Sequence, residues 1–405
     1  MREDKTTKNP EISVVIPCFR AGALLVDAIE SVLAQTETDW ELILVDNNAS
    51  KETKGIISKY TTLFPEKVRS VFEAEQGVCS ARNRGILESK GRFIALLDDD
   101  DIMYPERLSI QKSSLTQFPN AVLSYGYIDV ISIDNKVIIQ NKKDCSYFSF
   151  FARSKREHKD LDGLIFPDPL PSSIFFKKQI AESIGFFDVH YNPCFLEETD
   201  FYFRLSQVGD FINVGQSIIR FRMPSSDYLR KKRFSILKKY RLIMNQDYFY
   251  SKIVKFLNEK NLLANSSVQK DLKQMKARWL REISFDFLAI SGGEKYARLL
   301  LLRAIRESPF DLKSSKHLLR SVTPLGTRAR RYKSLHVYEE GIPPEITLDL
   351  LMGLFNGDHH CPFCDYSHSS SDKSENHPDS SSHNQIQNDL TSHQKISSGG
   401  VDAFQ

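Results

Sequence analysis

The apolar runs in the first hundred residues are short and stop abruptly in polar sequence. Ile12–Ile16 is apolar and largely β-branched, and it runs into Pro17-Cys18-Phe19-Arg20. Leu42–Val45 ends at Asp46-Asn47-Asn48, and Phe93–Leu97 ends at the consecutive aspartates Asp98, Asp99, Asp100 and Asp101. Val68–Phe72 is a further run of the same kind. Such runs read as short buried strands. Between the first two, Leu24, Leu25, Ala28, Ile29, Val32 and Leu33 recur at helical spacing. Strands alternating with helices predict the α/β class, a mainly parallel sheet with helices on both faces. Ligands of such sheets bind beyond the carboxyl ends of the strands, which is where the polar clusters fall.

Composition narrows the function classes. The 405 residues suffice for two domains, and 41% hydrophobic with 26% charged residues describe a globular chain. A formal charge of +3 gives no reason to expect a nucleic-acid partner. No apolar run approaches bilayer-spanning length, and the opening MREDKTTKNP carries no apolar leader. A cytoplasmic location is therefore expected. Cys18, Cys79, Cys145 and Cys194 have no regular spacing and read as reduced thiols. His359-His360-Cys361-Pro362-Phe363-Cys364 holds one CxxC pair with no second, so two ordinary thiols in a flexible tail compete with a zinc site.

The pattern divides the chain into a flexible start at 1–10, an α/β unit at 11–225 and a basic helical extension at 226–320. An uncertain small segment at 321–365 and a disordered tail at 366–405 follow. In the extension Arg230, Lys231, Lys232, Arg233, Lys238, Lys239 and Arg241 crowd one stretch. That stretch reads as a solvated helix face, with peripheral docking on anionic lipid at the inner membrane face as the alternative. The tail is rich in Ser, His, Asn, Gln and Asp and has almost no apolar residues to bury.

The acidic run carries the first chemical signal. Four adjacent carboxylates repel one another, and a hard divalent cation such as Mg²⁺ or Mn²⁺ binds carboxylate oxygens together with substrate phosphates. The competing reading is a solvated acidic turn before a helix near Pro105.

Taken in order, the motifs resemble glycosyltransferase family 2. Ser13-Val14-Val15-Ile16-Pro17-Cys18-Phe19 looks like its opening strand, and Glu30-Ser31-Val32-Leu33-Ala34-Gln35-Thr36 like its next signature. Val45-Asp46-Asn47-Asn48-Ala49-Ser50 resembles the nucleotide-binding strand end. Gln76 to Ile86, with Ala81-Arg82-Asn83, resembles the glycine segment, and Leu97 to Asp101 fits the metal motif. The resemblance is strong over about 90 residues, weakens towards Met223 and does not reach the C-terminal third.

The resemblance implies a GT-A fold, a Rossmann-like mixed sheet, followed here by a helical extension. It implies an inverting transfer from a nucleoside-diphosphate sugar to a glycan, lipid-carrier or protein acceptor hydroxyl. Asp46 would contact base or ribose, with Pro17, Phe19 and Asn47 lining the same cleft. Arg82 would sit near the diphosphate, Asp98 and Asp99 near the ribose or sugar, and Asp100 with Asp98 on the metal. Asp99 and Asp101 can exchange roles with their neighbours, because a run of four blurs the register. As isolated residues, Asp46 also suits a helix cap and Arg82 a surface ion pair. Asn47 departs from the family, where a second Asp is common, and Ala49 and Lys51 replace frequent Ser and Asp.

A second constellation is Leu196-Glu197-Glu198-Thr199-Asp200-Phe201-Tyr202-Phe203-Arg204-Leu205. Phe201, Leu205 and Val208 can share a helical face, with Glu197 and Glu198 at the positive helix start. In the family the second member of this acidic pair serves as general base. That is Glu198 here, although Asp is more usual, with Glu197 as the alternative; a dipole-stabilised cap is the plain reading. Asp168-Pro169-Leu170-Pro171-Ser172-Ser173 lies between the two constellations and is expected to shape the acceptor pocket. Two other classes stay open. A nucleotidyltransferase would need a Gly-rich basic loop after the first strand, which Pro17-Cys18-Phe19-Arg20 lacks. A non-catalytic nucleotide-sugar or glycan binder has no need to retain Asp100 and Glu198.

Overall fold

The computed structural model describes residues 9–142, 168–192, 196–223, 236–288, 293–309, 314–315, 351–352 and 354. Cys145, Cys194, Arg230 to Arg233, the His359–Cys364 segment and the tail from 366 lie outside these residues. The side chains of Lys238, Lys239 and Arg241 are likewise not described.

The strands are β1 (Ile12–Cys18), β2 (Trp40–Asp46), β3 (Val68–Phe72), β4 (Phe93–Leu96), β5 (Ile102–Met103), β6 (Ala121–Ile131), β7 (Val137–Lys142), β8 (Phe175–Lys177) and β9 (Asp210–Arg222). The helices are α1 (Leu24–Leu33), α2 (Lys51–Leu63), α3 (Val78–Glu88), α4 (Arg107–Gln117), α5 (Lys178–Ser183) and α6 (Glu197–Ser206). Beyond them lie α7 (Ile236–Glu259), α8 (Ser266–Leu288) and α9 (Glu294–Glu307). The sheet runs β3-β2-β1-β4-β8-β6-β9-β5, with β7 on β6 outside that path. Its first four strands are parallel, as their apolar runs predict. β8 is antiparallel to both β4 and β6, so the sheet is mixed, in keeping with the expected GT-A architecture.

β1 pairs with β2 and β4 and is covered on both faces, which is why nearly all of it is buried. Alternate residues feed two cores. Val14, Ile16, Leu42 and Leu44 pack with Leu25, Ile29 and Val32 of α1 and with Ile57 of α2. Val15, Ile43, Val45 and Leu96 pack on the other side with Ile86 of α3 and Phe201 of α6. That second core continues into Phe249 and Ile253 of α7, Trp279 of α8 and Leu300 of α9. Each large apolar side chain fully buried there contributes about 1.5–3 kcal/mol.

Local details differ from the sequence expectation in small ways. The fourth strand ends at Leu96, although the Leu97 amide still donates to Val15 O at 3.1 Å. The helix expected near Pro105 starts at Arg107. Phe201 and Leu205 are buried on α6, but Val208 follows the helix end and is 49% exposed. Cys18 and Cys79 are free, buried thiols, matching the reduced state expected of them. Among the described residues, no helix is long and apolar enough to cross a membrane.

Candidate active site

The parallel register aligns Cys18, Asp46 and Phe72, so β1, β2 and β3 reach their carboxyl ends at one level. The Asn47 amide donates to Cys18 O at 3.1 Å and the Ser50 amide to Phe19 O at 2.9 Å, which fastens the two strand ends together. Pro17 is the β1 partner of Val45 in this register. Asp46 Oδ1 accepts from the Ala49 amide at 2.8 Å, and Oδ2 lies 3.5 Å from Lys54 Nζ. The residue capping α2 is Ser50, which accepts from the Thr53 amide.

Asn47 is nearly fully buried and braces the next loop. Its Nδ2 donates to Glu73 O at 3.0 Å and Glu75 O at 2.7 Å. Its Oδ1 accepts from the Gly77 amide at 2.9 Å and Gln76 Nε2 at 3.0 Å. A carboxylate has no protons for those two carbonyls, a physical reason for Asn where the family commonly has a second Asp. Gly77, which opens α3, has φ +151°, and a Cβ there would lie 2.1 Å from Asn192. Asn192 caps α3 from a distance: its Oδ1 accepts from the Cys79 amide at 3.0 Å, and its Nδ2 donates to Ser80 Oγ at 2.7 Å.

Arg82 on α3 is only 3% exposed. Its Nη2 donates to Asp98 Oδ1 at 3.1 Å and its Nη1 to Glu197 Oε1 at 3.4 Å, while its guanidinium lies over the Phe187 ring at 5.4 Å. Burial works against its charge, but Asp98, Glu197 and Glu198 outweigh burial and hold it protonated. Arg82 is therefore an internal link between the acidic turn and the start of α6, not a surface ion pair.

The acidic turn is held from several sides. The Asp98 amide donates to Ser172 Oγ at 2.9 Å, and the Phe19 amide donates to Asp99 Oδ2 at 3.0 Å. Arg222 Nε donates to Asp100 O at 2.8 Å, and the Arg222 amide donates to Asp101 Oδ1 at 2.8 Å. The same guanidinium pairs Asp27 on α1 at 2.9 Å. Behind the turn, the fully buried Arg107 donates from Nη2 to Leu96 O at 3.0 Å and Ile174 O at 2.9 Å. Burial and the charges of Asp100 and Asp98 push the Asp99 carboxyl up to about 7, against the Phe19 hydrogen bond. Burial and the Asp98 charge push Asp100 up to about 6, and burial raises Asp101 well above the usual carboxylate range. Among the described residues, no three His, Cys, Asp or Glu side chains converge into a group that could hold a metal ion.

α6 begins under strain, with Leu196 in the left-handed region at φ +68°. Glu197 is buried; one of its oxygens faces Arg82, and Oε2 has no hydrogen-bond partner. Glu198 is half-buried, and its Oε2 also lacks a partner. Asp168 accepts from the Thr199 hydroxyl at 3.3 Å. Burial and the Glu198 charge push Asp168 up to about 8.

The structure thus brings Arg82, Asp98, Glu197, Glu198 and Asp168 into one electrostatic cluster. Phe19 and Asp99 meet beside it, and Asp46 lies near enough to raise Cys18 together with Asp99 once burial has done most of the work. Sequence reasoning passed over Asn192 and Arg222 because neither stands in a local pattern. Ser172 was visible in its turn, but its bond to Asp98 spans 74 positions.

Comparison with known proteins adds to this geometry. Residues 13–185 match the model of glycosyl transferase family 2. The uncharacterized glycosyltransferase alr2836 of Nostoc sp. is 32% identical over 130 residues, 32% of this chain and 40% of that protein. The UDP-Glc:alpha-D-GlcNAc-diphosphoundecaprenol beta-1,3-glucosyltransferase WfgD of Escherichia coli is 30% identical over 127 residues, 31% of this chain and 49% of that protein. The match thus spans about half or less of these relatives' length. The crystal structure of S. aureus TarS superposes on 77% of this chain and 55% of its own, with TM-score 0.43 and 14% identity.

Proposed function

We propose that the chain, whose residues 13–185 match the model of glycosyl transferase family 2, moves a sugar from a nucleoside-diphosphate sugar to an acceptor hydroxyl with inversion. The observation that carries this reading is the double pairing of Arg82, which joins the acidic turn at Asp98 to the helix start at Glu197. In this reading the donor side and the acceptor side of the reaction meet at that pairing.

In this reading the backbone of Pro17 to Phe19, Asp46 and the loop braced by Asn47 line the nucleotide cleft. Asp98 and Asp99 face the ribose or sugar. Asp100 and Asp98 would hold Mg²⁺ or Mn²⁺. The residues fit such an ion: they are hard oxygen donors, and burial together with the neighbouring charge of Asp98 pushes up the Asp100 carboxyl. Two protein carboxylates suffice when substrate phosphates and water supply the remaining ligands. When bound, the ion offsets the negative charge that develops on the diphosphate leaving group.

The acceptor oxygen attacks the anomeric carbon, and the bond from that carbon to the diphosphate breaks with its electron pair leaving on phosphate oxygen. The hydroxyl proton passes to Glu198, whose Oε2 has no protein partner. Arg82 keeps Glu197 paired, which favours Glu198 as the base. The acceptor is a glycan hydroxyl, in keeping with the lipid-linked acceptor in the name of the Escherichia coli relative. Polysaccharide assembly at the inner membrane face is the cellular setting proposed.

The test begins with thermal shift against a panel of nucleotide sugars with Mn²⁺, since a ligand of the native state raises Tm by mass action. Transfer is then measured for Glu198→Gln and Glu197→Gln. Glu198→Gln should retain donor binding and lose about 10²–10⁴-fold in rate. Normal rates in both variants would remove the base role, and full transfer in EDTA would remove the metal.

A further inference from the structure

The helices after residue 236 lie beyond the matched family segment, yet one of their side chains reaches the helix that starts with Glu197. Lys252 of α7 places Nζ 2.6 Å from Asp200 Oδ1 and 2.6 Å from Asp188 Oδ2. Asp200 is fully buried one turn along α6 from Glu197. Its Oδ2 accepts from Arg204 Nε at 2.8 Å and forms an ion pair with Nη2 at 2.8 Å, and the Tyr191 hydroxyl donates to its Oδ1 at 3.3 Å. Arg204 Nη1 donates in turn to Ile184 O at 2.6 Å.

Asp188 leads to the other half of the site. It follows Phe187, whose ring carries the Arg82 guanidinium and whose backbone exchanges two hydrogen bonds with Asn83, at 2.9 and 2.8 Å. The Asp188 carboxylate also accepts from the His190 amide at 2.9 Å and the Tyr248 hydroxyl at 3.0 Å. Burial disfavours its charge, but the Lys252 ammonium and these donors hold it below the usual carboxylate range. The Lys252 ammonium also lies 5.2 Å from the Tyr191 ring centre and 4.7 Å from that of Tyr248. Around this polar knot, Phe203 of α6 meets Phe249 and Phe256 of α7 edge-on at 5.7 and 5.4 Å.

We propose that Lys252 is a positioning residue for Glu197 and Glu198, which makes α7 a working part of the transfer site and not an appended module. The two segments that Lys252 joins are the one that seats Arg82 and the one that presents the acidic pair. The idea rests on the role given to that pair under Proposed function.

Hydrogen exchange on the full chain tests it without substrate. In Lys252→Met, amide exchange across 197–206 should rise about tenfold or more, while β1 and β2 keep their protection. With the donor found by thermal shift, kcat should fall about tenfold or more and donor KM should stay within about twofold. Lys252→Arg, which keeps the charge, should recover part of kcat. Lys252→Met combined with Asp188→Asn removes the carboxylate left without its cation, so Tm should return while kcat stays low.

Wild-type exchange and kcat in Lys252→Met would overturn the proposal. So would recovery of both Tm and kcat in the double variant, since Lys252 would then merely offset a buried charge. Should the single variant fail to fold, the double variant and Lys252→Arg carry the same comparison. Absence of turnover in the wild-type chain would instead overturn the proposed reaction, and exchange would still report whether α7 orders α6.

Discussion

Asn47 shows how one side chain sets the shape of a loop. Both of its amide protons and its oxygen are engaged with residues 73–77, and that loop delivers Gly77 to the start of α3. An Asp at this position turns two hydrogen bonds into two repulsions between a carboxylate and a carbonyl. Asn47→Asp should therefore lower unfolding free energy by about 2–4 kcal/mol, the sum of two lost bonds and a buried group left unpaired. Urea denaturation checks the value. A variant as stable as the wild type would mean that the loop is held by something else.

At the scale of the element, α3 is the piece whose placement matters most, because it carries Arg82 between the two acidic segments. It lies so close to the sheet that a Cβ on Gly85 would sit 2.2 Å from Val15 Cγ1. In an exposed helix interior, Gly→Ala is stabilising by about 1 kcal/mol. Here Val15 is fully buried in the central strand and cannot turn away, so overpacking at about 1–3 kcal/mol outweighs that gain. Gly85→Ala should lower Tm, and the displaced helix should weaken the Arg82 bridge. A raised Tm would show that α3 stands farther from β1 than these distances imply.

Across the whole molecule, the core behind α3 and α6 runs without a break into α7, α8 and α9. Helices from the C-terminal region thus complete a face that the sheet alone would leave open. The segment after residue 365 has a different composition, poor in apolar side chains, which predicts no contribution to such a core. A chain truncated there should keep its Tm and its transfer rate. A truncated chain that folds normally but has lost transfer would reveal a role for the tail.

The strands β1 to β4 and helix α1 were legible from short-range pattern. A strand buried on both faces must be apolar throughout, and its end must turn polar where it meets the cleft. Asp46, Asp98, Asp100, Glu197 and Glu198 were legible as candidates because each stands at a recognisable strand end or helix start, whereas Arg82, inside α3, was a candidate only through the family resemblance. The partners of those residues were not legible. Arg82 meets Glu197 across 115 positions, Arg222 meets Asp27 across 195, and Lys252 meets Asp188 across 64. Propensity and periodicity act over one or two turns of chain, whereas a buried charge takes whichever opposite charge the packed fold brings to it. The sequence by itself determined the α/β class and the polar residues that end its first strands. Only the tertiary structure decided which carboxylates share Arg82, why Asn stands at 47, and that a lysine from the far helices reaches α6.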